Sequence, residues 1–159
     1  MDESKEINTP IATTTKLDIN EPGSSIDQKL YRGMIDSLLY LTASIPHIVF
    51  SVGLCAHFQA NPKESHLTAV KMILRYLKCT TDLFLWYPKG SNFNLVGYTD
   101  AEYAGFLVDR KSTSSMAHFL GSCLVSWATK KQNSVALSTA EAEYVVAASC
   151  YAQLLWIKQ

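Results

Sequence analysis

An α+β chain, helices first and a β-β-β-α unit after them, is predicted by three stretches of sequence. In residues 95–100, Val96, Tyr98 and Asp100 alternate with Leu95, Gly97 and Thr99, the period of a half-buried strand. Gly121-Ser122 separates the strand-like runs 115–120 and 123–129, as a two-residue hairpin turn would. Ser138-Thr139-Ala140-Glu141 is a Ser-x-x-Glu capping box, in which Ser138 accepts from a first-turn amide and Glu141 reaches back. The stretch it opens, residues 140–158, has no Gly or Pro and is rich in Ala and Leu.

Composition sets the outer bounds. The 159 residues are 48% hydrophobic and 18% charged, enough apolar material for one domain or two small ones. Fourteen basic residues balance fourteen acidic ones, which excludes a general basic field that would gather nucleic acid. Arg110, Lys111, Lys130 and Lys131 near the hairpin read as a solvated face. Cys55, Cys79, Cys123 and Cys150 form no Cys-x-x-Cys pair and sit in apolar surroundings, so buried reduced thiols are expected. His47, His57, His66 and His118 lack metal-ligand spacing.

Taken in order, residues 1–25 are polar. They include the charged start Met1-Asp2-Glu3-Ser4-Lys5-Glu6, Thr13-Thr14-Thr15 and Glu21-Pro22-Gly23-Ser24-Ser25, and read as an extended or disordered lead-in. No apolar run of signal-peptide length follows the first residues. Residues 27–43 form a first helix, with Leu30, Met34, Leu38 and Leu41 at helical spacing and Gly33 as a weak point. Pro46 opens a second, residues 47–59, apolar nearly all round and therefore buried or in need of a partner. It is too short and carries too many histidines to span a membrane.

Asn61-Pro62-Lys63-Glu64 signals a third helix, with Asn61 as cap and Pro62 at the first helical position. It would run to about Lys78, with Leu67, Val70, Leu74 and Leu77 inward and Lys71, Arg75 and Lys78 outward. Residues 80–82 end it. Leu83-Phe84-Leu85-Trp86-Tyr87 then reads as a strand stopped by Pro88-Lys89-Gly90.

Several ordered blocks carry a resemblance. They are Tyr98-Thr99-Asp100-Ala101-Glu102-Tyr103-Ala104-Gly105, Asp109-Arg110-Lys111-Ser112-Thr113-Ser114, Val125-Ser126-Trp127, Lys130-Lys131-Gln132 and Ala136-Leu137-Ser138-Thr139-Ala140-Glu141-Ala142-Glu143-Tyr144. In this order they resemble the successive motifs of copia-type retrotransposon ribonuclease H domains. Tyr31-Arg32-Gly33-Met34-Ile35, Ser37-Leu38-Leu39-Tyr40-Leu41 and His66-Leu67-Thr68-Ala69-Val70-Lys71 resemble the end of the same polyprotein's reverse transcriptase and its connection.

The resemblance implies three segments. They are a lead-in (1–25), a helical remnant of the reverse-transcriptase connection (26–88) and a truncated, incomplete ribonuclease H-like domain (89–159). It implies that Asp100 and Glu143 are metal-holding carboxylates, Glu141 being the cap. The family's further Asp, on a strand after the helix, would fall beyond Gln159. Two carboxylates hold a Mg²⁺ pair poorly, because each hard cation needs several oxygen ligands.

The expectation is therefore a retroelement-derived protein that is no enzyme by itself. Its site would be vestigial and would hold Mg²⁺ only if completed. Such a chain would act through an unidentified protein partner rather than on an RNA-DNA hybrid, as a soluble cytoplasmic or nuclear protein. Two departures accompany this: Phe106 stands where the family is small or polar, and Ser115-Met116 replaces a usual glycine.

One alternative is a ribonuclease H subunit completed in trans by another chain. The other follows from a likeness between copia-type fragments and RxLR-type secreted effectors of a plant-pathogenic oomycete. It implies secretion, translocation into plant cells, a host protein partner and suppression of defence-related cell death. Arg75-Tyr76-Leu77-Lys78 is a near match to Arg-x-Leu-Arg, read here as helix surface. The partner-seeking surface would then be the apolar helix around residues 48–58 or an uncovered sheet edge.

Overall fold

The computed structural model describes residues 7–12, 17–19, 22–80, 82–90, 92–105 and 109–159. Two compact units divide the chain, Met1–Phe84 and Leu85–Gln159. Residues Met1 to Glu6, Thr13-Thr14-Thr15, Glu21, Thr81 and Phe106, all singled out above, lie outside the described residues.

The first unit is helical. Helix α1, Gln28–Leu41, is capped by Asp27, whose carboxylate accepts from the Lys29 N–H at 2.8 Å. A 3-10 turn, Pro46–Ile48, leads into α2, Val49–Ala56. This helix is shorter than the expected 47–59. The Gln59 side chain donates to the Ala56 carbonyl and so satisfies one of the orphan acceptors where the chain turns away.

Helix α3, Glu64–Cys79, begins later than expected, with Lys63 rather than Asn61 at the cap. The Lys63 N–H donates to His66 Nδ1 at 3.0 Å, and the other ring nitrogen of His66 bonds the Asp18 carbonyl at 3.0 Å. Pro62 precedes the helix, and its carbonyl accepts from the Ile26 N–H.

The unit's core comes from Tyr31, Ile35 and Leu38 of α1, from Ile48, Val52, Cys55 and Phe58 around α2, and from Ala69, Val70, Ile73 and Tyr76 of α3. Two corrections follow. The inward face of α3 is centred on Ile73, not Leu74, which is exposed. Apolar residues lie on both sides of this helix, and its neighbours rather than its periodicity choose the buried side. The apolar second helix is also no free partner surface, since Ile48, Val52, Cys55 and Phe58 are buried within the unit itself.

The lead-in also contributes. Ile11 and Leu17 are buried in this core, and Ser25 forms a bridge with Lys63. Of the cysteines expected to be buried, Cys79 is exposed at the end of α3, while Cys55, Cys123 and Cys150 are buried.

Within this core the Tyr31 hydroxyl donates to the Cys55 carbonyl at 2.9 Å. Burial, and secondarily the neighbouring Cys55, raises the Tyr31 pKa, while burial pushes the Cys55 thiol up to about 12. Both therefore stay protonated at neutral pH. Replacing Tyr31 by Phe removes one buried bond while the Cys55 carbonyl keeps the Phe58 N–H. A loss of about 1 kcal/mol is expected, read from urea unfolding.

Residues 83–88, which run across the boundary between the two units, form no strand. Their apolar run joins no ladder; the Tyr87 hydroxyl donates to the Leu124 carbonyl at 2.8 Å. Strands β1 (Leu95–Glu102), β2 (Thr113–Leu120) and β3 (Cys123–Lys131) form an antiparallel sheet in the order β1-β2-β3, and helix α4 (Thr139–Ile157) packs on β1 and β2.

The β2–β3 turn is at Gly121-Ser122, as the sequence suggested. Gly121 has φ +62°, a conformation that favours glycine, and a Cβ there would strike the Asn92 carbonyl. Among the described residues, helices followed by β-β-β-α are thus the architecture, an α+β fold.

Candidate metal centre

Alternation along β1 determines where Asp100 points. A Cβ on Gly97 would lie 2.6 Å from Cys150 Sγ and 3.0 Å from Leu154 Cδ1, so the Gly97 side of the strand faces α4. Val96, Tyr98 and Asp100 lie on the other side. The alternation puts Asp100 on the same face as Val96, and that face is the open one: Val96 is 41% exposed, Tyr98 and Asp100 are exposed, and Tyr98 meets Phe119 edge-on at 5.7 Å. Glycine at position 97 moved the helix to the opposite face, because a strand residue without a side chain admits close approach.

Glu143 comes from that opposite side. It lies in the second turn of α4, and its Oε1 accepts from the Ala101 N–H at 3.3 Å. Ala101 is the residue after Asp100, so Glu143 engages β1 one residue beyond the other candidate carboxylate. β1 is an edge strand of the sheet. Glu143 thus occupies one of the backbone donors along that edge, a side-chain solution to an unpaired strand. Among the described residues no cluster of three or more His, Cys, Asp or Glu forms.

The cap of α4 is local. The Glu141 N–H donates to Ser138 Oγ at 3.1 Å, and Glu141 Oε2 accepts from the Leu137 N–H at 2.7 Å, one residue before the expected Ser138 amide. Glu141 is thereby engaged at the helix start, whereas Glu143 is aimed at the strand. Arg75, Tyr76, Leu77 and Lys78 all lie within α3, and Tyr76 is buried, so this tetrapeptide is not an exposed linear segment.

Residues of the other blocks hold the architecture. Gln132 Nε2 is buried and donates to Ser114 Oγ and to the Ala142 carbonyl, each at 2.9 Å, tying β2 to the start of α4. Ser112 Oγ accepts from the Ala104 N–H, and its carbonyl accepts from the Gln132 N–H. The roles of Gln132 and Gly97 were missed in the sequence. For Gly97 the signal was a glycine inside a strand pattern; for Gln132 only its place in a matching block. His118 Nε2 lies 3.4 Å from Cys150 Sγ, but burial raises that thiol's pKa, which disfavours the thiolate a nucleophile needs.

The basic residues near the hairpin are partly neutralised. Lys131 Nζ pairs with Asp109 at 3.1 Å, and the Lys111 N–H donates to the same carboxylate. Desolvation pushes the Asp109 carboxyl up, but these hydrogen bonds and the two lysine charges outweigh it and hold the group below the ordinary carboxylate range.

A depressed folded pKa contributes stability above the unfolded value, and that contribution disappears as pH falls through the folded value. The difference in stability between the native chain and Lys131→Met should therefore be full at neutral pH and vanish on acidification. For so exposed a pair it stays below about 1 kcal/mol. Urea unfolding at several pH values reads it.

No family model matches the chain, and no solved structure matches it. Curated relatives do. The chain is 37% identical over 154 residues to a retrovirus-related Pol polyprotein from transposon RE1 of Arabidopsis thaliana, a match covering 97% of this chain and 10% of that protein. It is 36% identical over 166 residues to the corresponding polyprotein from transposon TNT 1-94 of Nicotiana tabacum, covering 100% of this chain and 12% of that one. Secreted RxLR effector protein 161 of Plasmopara viticola is 34% identical over 128 residues, 80% of this chain and 90% of that protein.

These likenesses define a retroelement-derived protein. The chain belongs to the copia-type family of retrovirus-related Pol polyproteins, and it spans about a tenth of the length of the polyproteins it matches.

Proposed function

We propose that the second unit is a ribonuclease H-like module in which Asp100 and Glu143 help hold divalent metal against the backbone of an RNA-DNA hybrid. The 159 residues act by association and do not cleave hybrid alone; another segment supplies the remaining oxygen ligands. The observation that carries this reading is the bond from the Ala101 N–H to Glu143, which sets a helix carboxylate at the strand position next to Asp100.

The donor set suits the metal. Both groups are carboxylates on exposed residues, and Mg²⁺ takes oxygen ligands while keeping several waters. Bound metal would activate a water and offset charge on the phosphate undergoing displacement. Glu143 can keep Oε1 on the Ala101 N–H and offer Oε2 to the metal, while Asp100 approaches from the exposed face of β1. Two carboxylates leave most of the coordination of a metal pair to phosphate, water and other protein groups.

Mn²⁺ titration of the isotopically labelled chain tests the site. Amide signals of residues 100–102 and 143 should broaden first, and Asp100→Asn or Glu143→Gln should remove that effect. Broadening centred elsewhere, or unchanged by both substitutions, contradicts the assignment.

A second reading, a secreted effector acting in plant cells, has one observation in its favour: the relative named as an RxLR effector is matched over 90% of its own length. The helical Arg75 to Lys78 segment does not add to it. Expression in leaf tissue challenged with a cell-death elicitor decides the matter. Reduced cell death supports the effector, and unchanged cell death with stable protein present removes it.

A further inference from the structure

Helix α4 buries Ala142, Val146 and Cys150 against its sheet. Its opposite side carries a second track, Glu141, Tyr144, Ala148, Tyr151, Leu155 and Lys158, spaced three and four residues apart by turns. That is the heptad spacing of a helix that packs lengthwise against another. All six are exposed, Tyr144 at 76% and Tyr151 at 64%, and Lys158 continues the helical conformation as the C-cap.

The track is complementary to its own reversal. Laid antiparallel on a second copy, Glu141 meets Lys158, Tyr144 meets Leu155, and Ala148 meets Tyr151, each pair occurring twice about a twofold axis. Acid opposes base at both ends, a small residue opposes a large one at the centre, and the helix dipoles run head to tail. A parallel pair would instead set Glu141 on Glu141, Tyr151 on Tyr151 and Lys158 on Lys158.

We infer that this face of α4 binds a second copy of the same chain, forming a symmetric antiparallel helix pair distinct from the strand edge that holds Asp100 and Glu143. One helix per copy makes a small interface, so the dimer belongs at the weak end of specific association and forms at micromolar concentration.

Sedimentation equilibrium of the full chain should show a monomer–dimer equilibrium. Tyr151→Glu should raise the dissociation constant at least about tenfold, as loss of a central aromatic does. Lys158→Glu and Glu141→Lys should each weaken it, while an equimolar mixture of the two recovers heterodimer, because every end pair is again of opposite sign. Circular dichroism confirms that each variant, including the Glu141 one that loses a cap, keeps its helices.

Register is read by cross-linking in a Cys79→Ser background. Tyr144→Cys mixed with Leu155→Cys should form an intermolecular disulfide, and neither should do so alone, since only the antiparallel partners come within disulfide reach. A chain that stays monomeric to several hundred micromolar overturns the inference. So does a dimer insensitive to Tyr151→Glu, or Tyr144→Cys cross-linking to itself.

Discussion

Gly97→Val should unseat α4 from the sheet. The first added carbon alone would lie 2.6 Å from Cys150 Sγ and 3.0 Å from Leu154 Cδ1, with Leu154 Cγ at 3.3 Å. Leu154 is long enough to turn aside. Cys150 Sγ has only its χ1 to turn, and turning gives up the contact with His118 Nε2 at 3.4 Å. Gly97→Ala should therefore cost about 1–3 kcal/mol by overpacking, and valine, with two further methyl groups, more than alanine.

Cys150→Ala in the Gly97→Ala background removes the closest clash and should recover part of the loss, a coupling between two residues in contact. Urea unfolding gives the magnitudes, and hydrogen exchange should place the lost protection in β1 and α4. An unchanged midpoint for Gly97→Val would mean that the helix does not approach the strand as described. Because Glu143 is carried by the same helix, its bond to the Ala101 N–H should be lost as well.

What the sequence made legible was local. Ser138 and Glu141 are three residues apart and both serve the start of α4, so their pattern and their structure nearly coincide. The Gly121-Ser122 turn is likewise decided by the φ of one residue. Residues 83–87 were misread because a strand pattern states only what could pair, and no ladder reaches them. The inward side of α3 was misjudged because Leu74 and Ile73 suit a helical stripe equally, and the neighbouring helices make the choice.

The candidate site divides the same way. Asp100 and Glu143 were nameable from the blocks around them, but the side of β1 that α4 covers depends on Gly97, and so on a contact between residues far apart in sequence. That contact leaves Asp100 on the exposed face and brings Glu143 to the strand edge from the other. Glu143 engages the strand one residue beyond Asp100, yet the two carboxylates come from different sides of it.

The second large effect concerns chemistry. If Asp100 and Glu143 are part of a metal site that needs further oxygen ligands, these 159 residues should leave an RNA-DNA hybrid intact in Mg²⁺. Mixing them with the polyprotein segment that follows the matched region in the Arabidopsis relative should bring cleavage of the RNA strand. Asp100→Asn and Glu143→Gln should then each reduce the rate by at least about 100-fold, since loss even of groups that merely support a metal's ligands costs roughly 10- to 100-fold.

Hybrid cleavage with and without the added segment is thus the most direct test. No cleavage alone, and metal-dependent cleavage on mixing that both substitutions abolish, is the expected result. Cleavage by the 159 residues alone, or a mixture whose activity ignores both substitutions, would contradict it.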